Sequence, residues 1–325
     1  MKAIVQRDYG SSETLRFEDV ELPKIGEGDV LVRVRAAGVD PGVWHLMTGR
    51  PYLVRLMGMG FRRPKVLVKG RDLSGVVEEV GDGVTRFRRG DEVFGVAMAG
   101  SFAEFARCRE RDLVDKPGNI SFEQAAAVPV SGMTALQALR DVGTASPGQQ
   151  VLIIGAAGGV GCFAVQLAVA FGAQVTGVCS NAKAGLVRSI GAEDVIDYAS
   201  EDVDARGAKF DLIIDTAGRR PLSVLRRALA PNGTLAIVGG EGGGRILGGF
   251  DRQVIRAPIL SALSHQRLRP VIAKERSEDL DYLAMMIQQD KVAPIIDRTF
   301  PLSEAPEAIR YLSEGHPGGK VVVTI

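Results

Sequence analysis

The stretch Val151-Leu152-Ile153-Ile154-Gly155-Ala156-Ala157-Gly158-Gly159-Val160-Gly161 carries the clearest chemical signal in this chain. Its four apolar residues, two of them β-branched isoleucines, predict a buried strand. The small residues that follow keep bulk away from a ligand, and the apolar residues 162–170 predict a helix. A strand, a tight turn and a helix in that order aim free helix N–H groups and a positive dipole end at a phosphate. Ala156 stands where Gly-x-Gly-x-x-Gly would have its first glycine, so the pattern alone is weak, but both flanks have the required period and length. Ala156, Ala157, Gly158, Gly159, Val160 and Gly161 are therefore expected to hold a dinucleotide.

The residues further on bear on which dinucleotide that is. An NAD site usually places an Asp or Glu about 20 residues past the turn, on the ribose hydroxyls. Here the next strand, residues 174–179, runs into Ser180-Asn181-Ala182-Lys183 with no acid. A carboxylate would repel a 2′-phosphate, whereas Ser180, Asn181 and Lys183 offer donors and a positive charge. The expectation is NADPH. The plainer alternative is that Ser180 or Asn181 only caps a helix.

Other reactive residue types are sparse. Cys108, Cys162 and Cys179 lie far apart or within apolar runs, which suggests reduced buried thiols and no disulfide framework. His45, His265 and His316 form no metal-spaced pair. The chain has 325 residues, 46% hydrophobic and 24% charged, with a formal net charge of +1, so no global field selects nucleic acid or a membrane surface. No apolar run approaches the ~18 residues of a membrane span. Met1 leads straight into an alternating strand, residues 2–5, and the expected setting is cytoplasmic.

The elements that must position these residues fall into two groups. Residues 1–120 hold short strands at 30–36, 74–81 and 89–96, separated by glycine turns, the pattern of a β-barrel-like lobe. Between them, residues 51–69 have no clear period and carry Arg55, Arg62, Arg63, Lys65 and Lys69, as a lid or a surface insertion would. From Ser121 the pattern becomes alternating helices and strands. Residues 124–139 predict one Ala-rich helix, with Ser121 and Gln124 as its capping box. Strands at 174–179, 194–197, 210–215 and 234–239 imply a parallel sheet covered on both faces. Residues 320–325 predict a last strand that completes the first lobe's sheet, which leaves 121–262 as an inserted nucleotide domain and 263–325 with the first lobe.

Several segments together resemble the medium-chain dehydrogenase/reductase superfamily, in its zinc-free quinone oxidoreductase-like branch. They are Ala37-Gly38-Val39-Asp40-Pro41, Gly70-Arg71-Asp72-Leu73-Ser74-Gly75-Val76-Val77, Gly90-Asp91-Glu92-Val93, the glycine turn and Gly319-Lys320-Val321-Val322, in this order through nearly the whole chain. The resemblance implies an α/β protein: a GroES-like β-barrel lobe plus a Rossmann domain with a doubly wound parallel sheet. It also implies hydride transfer from a nicotinamide and assembly as a homodimer through edge strands of the nucleotide domain; 257–263 is a candidate edge, though Pro258 could equally mark it as protected from pairing. Tyr198 matches a tyrosine that reaches the cofactor phosphate. Thr134, Gly239 and Gly240 match positions that line the nicotinamide and its ribose.

Zinc-dependent relatives have a Cys and a His where this chain has Asp40 and Arg71. A guanidinium has no lone pair to give, so no metal is expected. Asp40 and Arg71 could instead pair with one another, or each bond separately. Without zinc, the accessible chemistry is hydride delivery to an acceptor already polarised by conjugation, a quinone or an α,β-unsaturated carbonyl. Tyr52 matches a tyrosine near the quinone and could donate a proton, or could simply pack in its loop. Two further readings remain open: an enoyl-thioester reductase, whose acidic substrate tail would suit Arg62-Arg63-Pro64-Lys65, and an NADPH-binding protein with a mainly non-catalytic role.

Overall fold

A computed structural model of the chain describes residues 1–52, 55, 60–239, 249, 251–315 and 317–325, excluding the side chains of Asp251 and Val254. The chain forms two compact units. One comprises Met1–Met133, Glu275–Asp290 and Pro294–Ile325, the other Thr134–Lys274 and Lys291–Ala293.

In the first unit the 11-residue strand Asp29–Val39 organises a seven-stranded sheet. One of its edges pairs antiparallel with Asp72–Val80. Its other edge is shared: residues 29–33 pair with Phe105–Arg109, and residues 36–39 with the C-terminal strand Lys320–Thr324. The tail thus completes this unit's sheet. Alternation along these strands sends Val30, Val32, Val34, Val77, Val93 and Val323 into one buried cluster with Phe102 and Met47. A polar knot lies within the unit. Lys320 Nζ bonds to Asp72 Oδ2 at 3.3 Å and donates to Ser131 Oγ at 3.1 Å, while the Val130 N–H donates to Asp72 Oδ1. Burial raises the Asp72 carboxyl above the usual range, with Lys320 opposing the shift and Asp40 adding to it.

The second unit is a six-stranded, all-parallel sheet. Across it the strands run Asp194–Asp197, Gln174–Cys179, Gln150–Ile154, Phe210–Asp215, Leu229–Ile237 and Arg267–Pro270. The helices Gly159–Ala170, Ala184–Ser189 and Leu222–Ala228 make the crossovers. Leu152, Ile154, Ile213, Leu235 and Ile237 fill a core on one face.

The units divide at Met133 and Lys274, later than the change of sequence pattern at 120 and 263. Residues 121–133 are tied to the first unit because Ser74 Oγ donates to the Phe122 carbonyl and Asp72 accepts from Val130. Residues 267–270 stay with the second because they are its sixth strand. Two local expectations are corrected. The single helix over 124–139 is two, Phe122–Ala126 and Pro129–Gln137, since Pro129 has no N–H to continue the ladder and restricts Val128. The capping box of Ser121 and Gln124 does open the first of them. Residues 257–263 are not an edge strand: Ala257–Ala262 is helical, with Pro258 in the first turn, where its missing N–H costs nothing. The sheet's edges are Asp194–Asp197 and Arg267–Pro270.

Candidate functional site

The glycine turn leaves the central strand Gln150–Ile154 at its carboxyl end and enters the helix Gly159–Ala170, with Gly158 as an extended cap residue. The Gly155 and Ala156 N–H groups both donate to the Val178 carbonyl, which pins the turn to the neighbouring strand. Gly161 is required sterically: a Cβ there would lie 2.0 Å from the Gly155 carbonyl oxygen. Ala156 replaces a glycine without strain because Gly177 faces it, leaving room for one buried methyl.

Because the strands are parallel and adjacent, the segments that follow them emerge on one edge of the sheet. Ser180 follows Gln174–Cys179 and precedes a short helical turn, Asn181–Lys183, without capping it through its side chain. Tyr198 follows the next strand, its N–H donating to the Cys179 carbonyl and its side chain 58% exposed. Asp197, just before it, accepts the Ala199 N–H at Oδ1. Gly239 follows Leu229–Ile237, its N–H donating to the Asp215 carbonyl. Gly240 lies outside the described residues. Thr134 is mostly buried within the helix Pro129–Gln137.

Arg252, which sequence reasoning passed over, belongs to this edge. Its Nη2 meets the buried Asp215 Oδ2 at 2.6 Å, while Nε and Nη1 are buried with no partner among the described residues. Buried donors without a partner at the carboxyl end of this sheet suit an anionic or polar ligand group there.

In the first unit Asp40 and Arg71 do not form an ion pair. Asp40 is nearly fully buried and caps the helix Pro41–Thr48, its Oδ1 accepting from the Gly42 N–H while Oδ2 has no partner among the described residues. Arg71 bonds instead to Glu275. Tyr52 is 41% exposed and stacks on the Arg55 guanidinium, which also covers Tyr9. It is not brought to Arg71. His45 Nδ1 bonds to the Arg50 carbonyl, which makes that nitrogen the donor. His265 is exposed, and His316 lies outside the described residues.

Arg71 lines a cavity of about 1020 Å³ within this unit, together with His45, Leu46, Lys65, Lys69 and Met98. Lys69 had no signal of special status in the sequence beyond its place in Val66-Leu67-Val68-Lys69. Its side chain is held inside because its N–H donates to the Ile4 carbonyl and its own carbonyl accepts from the Phe102 N–H. Burial lowers its amino group to about 8.

All three cysteines are free and buried. Burial pushes the Cys162 thiol up to about 12 and raises Cys108 and Cys179 as well, so none is an activated nucleophile. Among the described residues no three His, Cys, Asp or Glu side chains cluster to hold a metal ion, and no helix is long and apolar enough to cross a membrane.

Known proteins give this geometry a family. Residues 26–118 match the alcohol dehydrogenase GroES-like domain, and residues 190–323 match the zinc-binding dehydrogenase family. The NAD(P)H oxidoreductase RTN4IP1, mitochondrial, of Bos taurus is 32% identical, covering 100% of this chain and 89% of its own. The 2-methylene-furan-3-one reductase of Solanum lycopersicum is 32% identical over 99% of this chain and 79% of its own. The solved quinone oxidoreductase of Coxiella burnetii superposes with a TM-score of 0.86 at 29% identity, covering 100% of this chain and 99% of that one. The chain belongs to the medium-chain dehydrogenase/reductase superfamily, in its quinone-oxidoreductase-like branch of NAD(P)H-dependent oxidoreductases.

Proposed function

We propose that this chain is an NADPH-dependent, zinc-independent reductase acting on a quinone or an α,β-unsaturated carbonyl. The observation that carries the cofactor choice is the corner formed by Ser180, Asn181, Lys183 and Tyr198. It offers hydroxyls, an amide and an ammonium, and the Asp197 carboxylate before Tyr198 accepts the Ala199 N–H at one oxygen. The bound cofactor would supply the hydride. The chain's own residues would bind and orient: the turn 156–161 at the pyrophosphate, Arg252 with its two unpartnered donors at a further anionic or polar group, and Thr134, Gly239 and Gly240 at the nicotinamide end.

The reading without zinc rests on the residues at the two metal-ligand positions. Arg71 is tied to Glu275, and Asp40 spends one oxygen on a helix cap. Neither arrangement manages an alcohol's proton as a metal would. An acceptor whose incoming charge delocalises onto oxygen needs only a shaped pocket and donors. Arg71 is the donor proposed for it, and Asp40 supports the helix that carries His45 and Leu46, whereas Tyr52 is stacked on Arg55 and does not line the cavity. The buried reduced thiols suit a cytoplasmic setting, and a homodimer is the proposed assembly.

Lys183→Ala is expected to raise KM for NADPH by about tenfold, the worth of one exposed charge-assisted phosphate contact, and to leave NADH little changed. Equal losses with both cofactors would remove the phosphate assignment. NADPH binding without its oxidation by any quinone or enone would favour a binding protein instead.

A further inference from the structure

Charge is unevenly distributed around the first unit's cavity. Lys65, Lys69, Arg71, Arg109, Arg111 and Arg276 line it, in a chain whose net charge is only +1. Three carboxylates share the wall, but Glu275 is paired with Arg71 and Asp112 lies 3.9 Å from Arg111, leaving Glu278. Lys65 and Lys69 have no acidic partner among the described residues, and Arg109 shares Asp112 with Arg111 without an ion pair of its own among them. Lys69 is the unusual one. It is 5% exposed, and among the described residues its ammonium donates only to the Val66 carbonyl, at 3.0 Å. A buried cation with no counter-charge is costly to keep. The helix Ser277–Gln288 starts in the same wall and adds its positive end, since Ser277 and Glu278 also line the space.

We propose that this cavity takes an acceptor bearing an oxyanion, a carboxylate or a phosphate, and that Lys69 is the residue that selects for it. Leu46, Val66 and Met98 supply apolar wall for the rest of the molecule. Lys69 stays largely protonated at neutral pH, its amino group lying at about 8, so its charge is available to an anion. This specificity rests on the reductase reading above, but the binding it requires does not depend on turnover.

The test is therefore a calorimetric titration of the full-length protein without nicotinamide, using 2-naphthoate, 2-naphthyl phosphate and the neutral 2-naphthol. Both anions are expected to bind at least tenfold more tightly than 2-naphthol, and their order tells a carboxylate site from a phosphate site. Lys69→Met should collapse that gap, Lys69→Arg should restore part of it, and the exposed Arg109→Gln should narrow it without touching the core. Three equal affinities, or a gap that survives Lys69→Met, would overturn the proposal. A separate assay compares NADPH oxidation by 1,4-naphthoquinone and its 2-sulfonate. If neither is reduced while the anions still bind, the reductase reading fails and the anion site stands. If both are reduced but the anions bind no better than 2-naphthol, the reverse holds.

Discussion

Lys69 is expensive to the folded state, and the sign of that cost can be measured. Its amino group falls from 10.5 to about 8 on folding because burial disfavours the charge. Between those values the unfolded chain holds more protons than the native one, so unfolding free energy rises with pH across that window. Below pH 8 the native state carries the full cost of the buried charge. Lys69→Met removes it, and is expected to stabilise the protein at pH 7 by roughly 1–3 kcal/mol, water in the cavity setting the lower figure. Denaturant unfolding at pH 7 and pH 10 checks this: the advantage of the variant should shrink at the higher pH. An advantage that is constant with pH would mean that packing alone is responsible. Asp72 and Lys320 are a different case, since each is buried against the other and Ser131 completes the set. Their shared burial joins the C-terminal strand to the strand Asp72–Val80 and to the start of the helix Pro129–Gln137.

At the scale of elements, the parallel sheet was legible because its strands are buried on both faces and read as short apolar runs between glycines. Residues 174–179, 194–197 and 210–215 are strands with the bounds expected. Ser121 and Gln124 were legible too, because a capping box is local chemistry. What stayed hidden depends on partners distant in sequence. Nothing near Arg71 names Glu275 as its counter-ion, and nothing near Lys69 reveals that Ile4 and Phe102 clamp its backbone. The helix Ala257–Ala262 was misread because an apolar run containing proline fits a protected edge strand as well as a first helical turn. The strand, turn and helix around the glycine segment lie where they were expected, and the turn is sterically tight. Gly161→Ala would push a methyl to 2.0 Å from the Gly155 carbonyl oxygen, where backbone meets backbone and neither can yield cheaply. The expected result is a loss of about 2 kcal/mol or more in stability and at least tenfold weaker NADPH binding by fluorescence titration. Unchanged binding in a folded variant would mean that the turn is not the cofactor's cradle.

At the scale of the whole molecule, assembly turns on one face of the second unit. Ile255, Ile259 and Leu263 recur every four residues through the helical segment 251–263, so they share a face, and Leu263 is 80% exposed. The same segment packs on Arg267–Pro270, a strand with one edge unpaired among the described residues. Ile272, just beyond that strand, is exposed as well. An apolar helix stripe beside an open strand edge is a surface that a lone soluble chain keeps covered or charged. A two-fold pairing would cover both features at once, because each copy presents the same stripe and the same edge to the other. The Arg-Leu-Arg-Pro sequence limits that strand to a short ladder, so most of the association energy would come from the stripe. Ile259→Glu combined with Leu263→Glu should therefore convert a dimer to a monomer in light scattering, with far-UV circular dichroism unchanged because both side chains point away from the core. Desolvating four glutamates, two from each copy, would cost several kcal/mol, enough to raise the dimer dissociation constant by at least a thousandfold. A wild-type chain that scatters as a monomer at micromolar concentration would remove the dimer and leave the stripe to a different partner.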